Sequence, residues 1–182
     1  MIPIYLNPAH VRVAVIGRGR LAARRVAWLQ AAGACPDVWS DAPEAELSAA
    51  ADVRVRLPLV EELSAYQAVW IAELQRAEAE ALAQGARDAG VLVNVEDVIA
   101  LCDFHTPAVV RRGRLTLAAA TGGASPAVAR AARERLEQSF PESWGLALDE
   151  ISGARAALRE RGASFDDLVA DARARLARHK LV

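Results

Sequence analysis

Cysteine is scarce in this sequence, with Cys35 and Cys102 the only two. They are too few and too far apart for a disulfide framework or a zinc knuckle, so a reduced compartment is the default. Lysine is scarcer still. The basic side chains are almost all arginine and Lys180 stands alone near the end, a bias that genomic base composition produces without any functional cause. An excess of charge is also missing: the net value of −1 gives no global pull toward nucleic acid. No apolar run reaches membrane-spanning length. Residues 1–17 lack a charged segment followed by a long apolar core, so no signal peptide is expected. Internal repeats and low-complexity linkers are absent too. A soluble, cytoplasmic protein is therefore expected. What is present is globular: 53% hydrophobic and 25% charged residues over 182 positions, enough for one full core and an appendage.

The stretch that organises the chain is 94–137. Its middle, 115–120, is a short apolar run suited to a buried strand. Thr121-Gly122-Gly123-Ala124-Ser125-Pro126 then turns into a helix, with Ser125 as N-cap and Pro126 at the first helical position. Glycines before a helix N-terminus leave backbone N–H groups facing outward, which suits an anion. Asp97 lies just past a strand end at Asn94. An acid, a glycine-rich anion cradle and several arginines on one segment point to a substrate rich in carboxylates. A capped amphipathic helix following a strand is the plainer alternative.

From the start of the chain, residues 11–16 read as a first strand and 22–32 as a helix stopped by Gly33. Between them, Gly17-Arg18-Gly19-Arg20-Leu21-Ala22 fits the G-x-G-x-x-A turn of dinucleotide-binding folds. Gly17 makes the tight turn and Gly19 lets the backbone approach a pyrophosphate. Arg18 and Arg20 either add charge to a phosphate or fill the space a cofactor needs. A βα turn without ligand is the alternative. Residues 37–40 read as a second strand, with Asp41 or Asp37 as the ribose-binding acid and Ala42 beside it. A loop and short helix follow over 42–51. Strands are expected at 53–57, 69–72 and 91–95, with a helix over 76–89 ended by Gly90. Such alternation predicts an α/β fold: a doubly wound parallel sheet whose ligand crevice lies at the strands' carboxyl ends.

After Arg114 one strand is followed only by helices, at 126–138, 146–161 and 165–179, the last opened by a Ser164-to-Asp167 capping box. So small a segment cannot bury a core alone and is expected to pack on a partner subunit. The expected division is a dinucleotide-binding domain over 1–113, a dimerisation segment over 114–145 and a small helical domain over 146–182.

With both glycine turns placed, the chain resembles the bifunctional precorrin-2 dehydrogenase/sirohydrochlorin ferrochelatase family, the first module of siroheme synthase. Pro3-Ile4-Tyr5-Leu6 matches the family's opening stretch, and 16–25 aligns with its V-G-G-G-x-V-A-x-R-K. Asn94-Val95-Glu96-Asp97 matches N-V-x-D, 104–108 matches F-x-x-P-A, and 121–130 matches T/S-G-G-x-S-P-x-x-A-R. The likeness covers most of 1–140 and is more specific in its second half. No methyltransferase module follows in this sequence, so a standalone form is expected.

The resemblance implies a homodimer that oxidises precorrin-2 to sirohydrochlorin with NAD and inserts ferrous iron, a substrate, to give siroheme. It implies Asp97 as general base. It places the tetrapyrrole against Thr121, Gly122, Gly123 and Ser125, with Arg130, Arg111, Arg112 or Arg114 pairing its acetates and propionates. NAD falls to Gly17, Arg18, Gly19, Arg20, Leu21, Asp41 and Ala42. No resident metal site is implied, and His105 is more readily structural than a metal contact. The sequence departs from the family at Arg18, where a glycine is usual, and at Ile71-Ala72-Glu73-Leu74-Gln75, where A-A-T-D/N is usual. Both departures lie on the cofactor side. They are expected to weaken or abolish NAD binding while leaving tetrapyrrole binding or chelation. The rivals are a non-catalytic tetrapyrrole-binding protein on the same fold and an NAD-binding oxidoreductase of unrelated substrate.

Overall fold

Short apolar runs become strands in the first unit because both faces of each run are covered. The structure, a computed structural model, describes residues 1–182, which divide into two compact units, 1–106 and 107–182. In chain order the first unit contains β1 (Val13–Gly17), α1 (Arg20–Gln30), β2 (Asp37–Trp39), α2 (Ala45–Ala50) and β3 (Val53–Arg54). It continues with α3 (Val60–Leu63), β4 (Ala68–Ala72), α4 (Arg76–Asp88) and β5 (Leu92–Val95).

The strands are parallel in the order β3-β2-β1-β4-β5. Both β1 and β4 are buried at every residue, which is why they read as continuous apolar runs rather than as alternations. Successive side chains still go to opposite faces. Val13 and Val15 pack with Ala22, Val26 and Leu29 of α1. Ala14 and Ile16 pack with Leu82, Ala83 and Ala86 of α4 and its surroundings. Helices on both faces make the sheet doubly wound, as expected from the alternation. The order reverses at β1, so a crevice opens between the carboxyl ends of β1 and β4.

Two details differ from expectation. β3 covers only Val53–Arg54, because its neighbour β2 has only three residues and offers nothing further to pair with. The guanidinium groups of Arg54 and Arg56 instead lie over the Trp39 ring, at 4.5 and 4.6 Å from its centroid. The single turn α3 was not expected from the sequence.

The second unit holds β6 (Ala108–Arg112), β7 (Leu115–Ala119), α5 (Pro126–Ser139), α6 (Ser143–Glu160) and α7 (Phe165–Arg178). One strand was expected here, and there are two: β6 and β7 form an antiparallel hairpin turning at Gly113, where φ is +57°. The unit therefore begins ahead of the expected boundary after residue 113. β6 is hard to see in the sequence because only Val110 is buried, while Arg112 spreads over the end of α5. Its Nε donates to the Phe140 carbonyl at 2.6 Å and its Nη2 to the Glu137 carbonyl at 3.3 Å, so a cation meets the negative end of that helix. At Gly145 a Cβ would lie 2.9 Å from the Arg112 carbonyl carbon and oxygen, so α6 passes directly over the hairpin turn. Ser125 and Pro126 open α5, and Ser164 with Asp167 closes a capping box on α7, both as expected.

Gly17 sits at the centre of the first unit. It pairs in register with Ala72, and a Cβ added there would run into the Ala72 carbonyl oxygen. Backbone cannot move aside cheaply inside a central strand pair. Gly17→Ala is therefore expected to destabilise the fold by about 1–3 kcal/mol, read as a lower urea midpoint with unchanged slope.

Candidate functional site

The crevice at the ends of β1 and β4 is where the glycine turn lies. Gly17 and Gly19 are buried, and α1 starts immediately afterwards, so its first N–H groups face the end of β4. α1 has no side-chain cap from its own N-cap residue, Gly19. The anion comes from elsewhere. Glu73, just past β4, places Oε2 at 2.8 Å from the Leu21 N–H nitrogen and 3.2 Å from that of Ala22. Its backbone is left-handed, with φ +56°. A Cβ at Gly19 would come within 2.8–2.9 Å of the Glu73 carboxylate, so that carboxylate fills the space the glycine leaves.

Arg18 is fastened to two carboxylates. Its Nε and Nη2 donate to the two Asp41 oxygens, and Nη1 and Nη2 donate to the two Glu78 oxygens, all at 2.8 Å. The guanidinium thus joins the loop after β2 to the first turn of α4. A backbone bond adds to this, since the Glu44 N–H donates to the Arg18 carbonyl at 2.9 Å. The hydrogen bonds to Arg18 hold the Asp41 and Glu78 carboxyls below the usual carboxylate range, and they raise Arg18. Of the two candidate ribose acids, Asp41 lies on this network. Asp37 accepts bonds from Arg12, Arg54 and Tyr66 instead. Arg20 and Ala42 are exposed, and Leu21 is half-buried.

Asp97 stands beyond the end of β5, exposed and with φ +62°. The loop that carries it is clamped at both ends. Asn94 Nδ2 donates to the Phe104 carbonyl at 2.9 Å, and Asp103 accepts from the Val93 N–H at 3.0 Å. Next to Asp97, Glu96 pairs with Arg25 of α1, accepting a hydrogen bond from its Nη2 at 2.8 Å. Burial pushes the Cys102 thiol up, and its sulfur stays within the same loop on the Val95 and Val98 carbonyls. A cleft of about 150 Å³ opens here, with Ile71, Glu73, Leu74, Val95 and Glu96 in its wall. No cluster of three or more His, Cys, Asp or Glu side chains is placed to hold a metal ion, and His105 is half-buried in the following loop.

In the second unit the other glycine turn is self-contained. Gly122 and Gly123 are left-handed at φ +65° and +83°. Thr121 Oγ1 accepts from the Ser125 N–H at 3.2 Å and donates to the Ser125 carbonyl at 3.1 Å. Ser125 Oγ accepts from the Val128 N–H at 3.3 Å as the cap of α5. Among the arginines considered for carboxylate pairing, Arg112 is taken up by α5 carbonyls and Glu142, and Arg114 donates to Ser152. Arg130 is exposed and pairs with Glu134 one turn on. Thr121, Gly122, Gly123 and Ser125 form one continuous turn at the start of α5, with Arg130 on that helix.

Residues 4–108 match the protein family described as "Putative NAD(P)-binding". The chain belongs to this NAD(P)-binding family. It is also similar to siroheme synthase of Methylococcus capsulatus, 34% identical over 165 residues, covering 88% of this chain and 34% of that protein. Against siroheme synthase of Neisseria meningitidis serogroup C it is 36% identical over 156 residues, 83% of this chain and 32% of the other. The chain spans about a third of the length of these curated relatives. The solved structure of SirC, precorrin-2 dehydrogenase, superposes with a TM-score of 0.72 at 20% identity, covering 100% of both chains, which shows the shared fold. Within the NAD(P)-binding frame, the glycine turn has the right shape for a dinucleotide. Its anion seat does not fit one as folded, because the chain's own Glu73 carboxylate holds the N–H groups a pyrophosphate would take.

The signal that sequence reading missed is Glu73 as a ligand of α1. The segment was visible as a departure, but its partner N–H groups are about fifty residues away. The Arg18 network carries a pH dependence. A carboxylate held below its unfolded value contributes stability above that value and loses it as pH falls through the folded one. The thermal-midpoint gap between wild type and Arg18→Gln is expected to be constant near neutrality and to shrink below about pH 4.5, as melts across pH 2–7 would record.

Proposed function

We propose that this chain acts in siroheme biosynthesis, in the oxidation of precorrin-2 to sirohydrochlorin, the insertion of ferrous iron into sirohydrochlorin, or both. The observation that carries this reading is Asp97. It is an exposed carboxylate held in a left-handed turn at the crevice end of β5. The siroheme synthase relatives, matched over most of this chain, support the choice of substrate.

Both reactions require protons to leave the macrocycle. Oxidation removes a proton together with a hydride, and iron insertion displaces the protons of pyrrole nitrogens. NAD would supply the hydride acceptor once it had displaced the Glu73 carboxylate from the Leu21 and Ala22 N–H groups. Asp97 accepts the proton: its carboxylate reaches solvent and is positioned by the clamped loop. In the second unit, taken by itself, the turn at Thr121 and the N-terminal N–H groups of α5 offer donors suited to carboxylates of a tetrapyrrole, with Arg130 on the same helix. The chain acts as a homodimer. This is supported by α5, which buries no residue within the chain, and by the exposed side chains of Val128, Leu146 and Phe165.

A second reading is favoured by one observation. The Glu73 carboxylate in the anion seat supports a chelatase-only or non-catalytic tetrapyrrole-binding protein that has lost NAD binding. Assaying precorrin-2 oxidation and iron insertion separately divides the two.

Asp97→Asn keeps the size of the side chain and removes its basicity. Iron insertion into sirohydrochlorin is expected to fall by roughly 10²–10⁴-fold, with the thermal midpoint near that of wild type. Retention of most of the activity would remove Asp97 from the role of base.

A further inference from the structure

We infer that Glu73 decides whether this chain takes a dinucleotide, its carboxylate serving as an internal anion in the pyrophosphate seat that the cofactor must displace. The inference rests on the NAD-linked reading proposed above.

Several independent features agree. The Glu73 carboxylate uses the Leu21 and Ala22 N–H groups, which are the donors a helix N-terminus offers to phosphate. It occupies the volume beside Gly19, where a side chain on the turn itself would clash. Its backbone is held left-handed, a conformation non-glycine residues adopt only where the surroundings impose it. Arg18, on the glycine turn, is fastened to Asp41 and Glu78.

Energetically this is a competition between a tethered anion and a free one. The Glu73 carboxylate is covalently attached and always at high local concentration, so a dinucleotide sees only the fraction of molecules in which it has swung away. Glu73 serves the two N–H groups that an N-cap side chain would serve, and it does so from the end of β4. Glu73 lies over Gly19 itself.

Calorimetric titration of the full chain with NAD tests this, using wild type, Glu73→Gly and Glu73→Gln. Glycine removes the carboxylate and relieves the left-handed backbone, so the fold is retained; glutamine keeps the size and removes the charge. The Glu73→Gly variant is expected to bind NAD roughly 10- to 100-fold more tightly than wild type, as for an open state populated at about 1–10%, with a smaller gain for Glu73→Gln. If Glu73→Gly binds NAD no more tightly than wild type, whether both bind or neither does, the inference is overturned. Precorrin-2 oxidation is scored alongside. Tighter NAD binding without oxidation keeps the role of Glu73 and removes the dehydrogenase reading. Oxidation by wild type with equal affinity in the variant does the reverse.

Discussion

A helix N-terminus needs an anion, and in this protein the chain provides one. The Glu73 carboxylate on the first N–H groups of α1 ties the end of β4 to the start of the helix after β1. The neighbouring features take their form from that contact. The carboxylate lies against Gly19, while Gly17 must lack a side chain because the Ala72 backbone lies against it. Arg18 joins the β2 loop to α4 through Asp41 and Glu78. One carboxylate thus converts a ligand cradle into an internal joint.

The same frame separates cofactor side from acid side. Gly17, Gly19, Arg18 and Glu73 lie at the ends of β1 and β4, with their hydrogen-bonding groups directed at one another. Asp97 lies at the end of β5, on a loop whose base is fixed by Asn94, Asp103 and the Arg25–Glu96 pair, and its carboxylate stays in solvent. Proton transfer needs such an accessible carboxylate, whereas dinucleotide binding needs accessible N–H groups. The first condition is met as the chain is folded and the second is not.

Much of this was legible from residue order. Apolar runs within 11–16 and 69–72 announce the strands observed at 13–17 and 68–72, and the glycine turn between strand and helix announces the crevice. Ser125-Pro126 and Ser164–Asp167 announce helix starts because capping is local chemistry. β6 escaped notice because Arg111 and Arg112 mask a strand whose only buried side chain is Val110. Arg18 was seen as a departure, with two roles weighed for it, phosphate ligand or plug. The bridge it makes to Asp41 and Glu78 was not visible, because those partners come from distant segments. Glu73 was seen as an unusual residue after β4, yet its meaning depends on the parallel register that sets Ala72 beside Gly17. Local patterns reveal elements; pairings across the sheet reveal what the elements hold.

The most direct measurement is amide hydrogen exchange by NMR on the ligand-free chain and on Glu73→Gly. First-turn amides of a helix exchange quickly unless something accepts their hydrogen bonds. The Leu21 and Ala22 amides should be protected in wild type and lose that protection in the variant, while amides of β1 and β4 keep theirs. Equal exchange at Leu21 and Ala22 in the two proteins would contradict the account, because the carboxylate would then not be holding the helix start in solution.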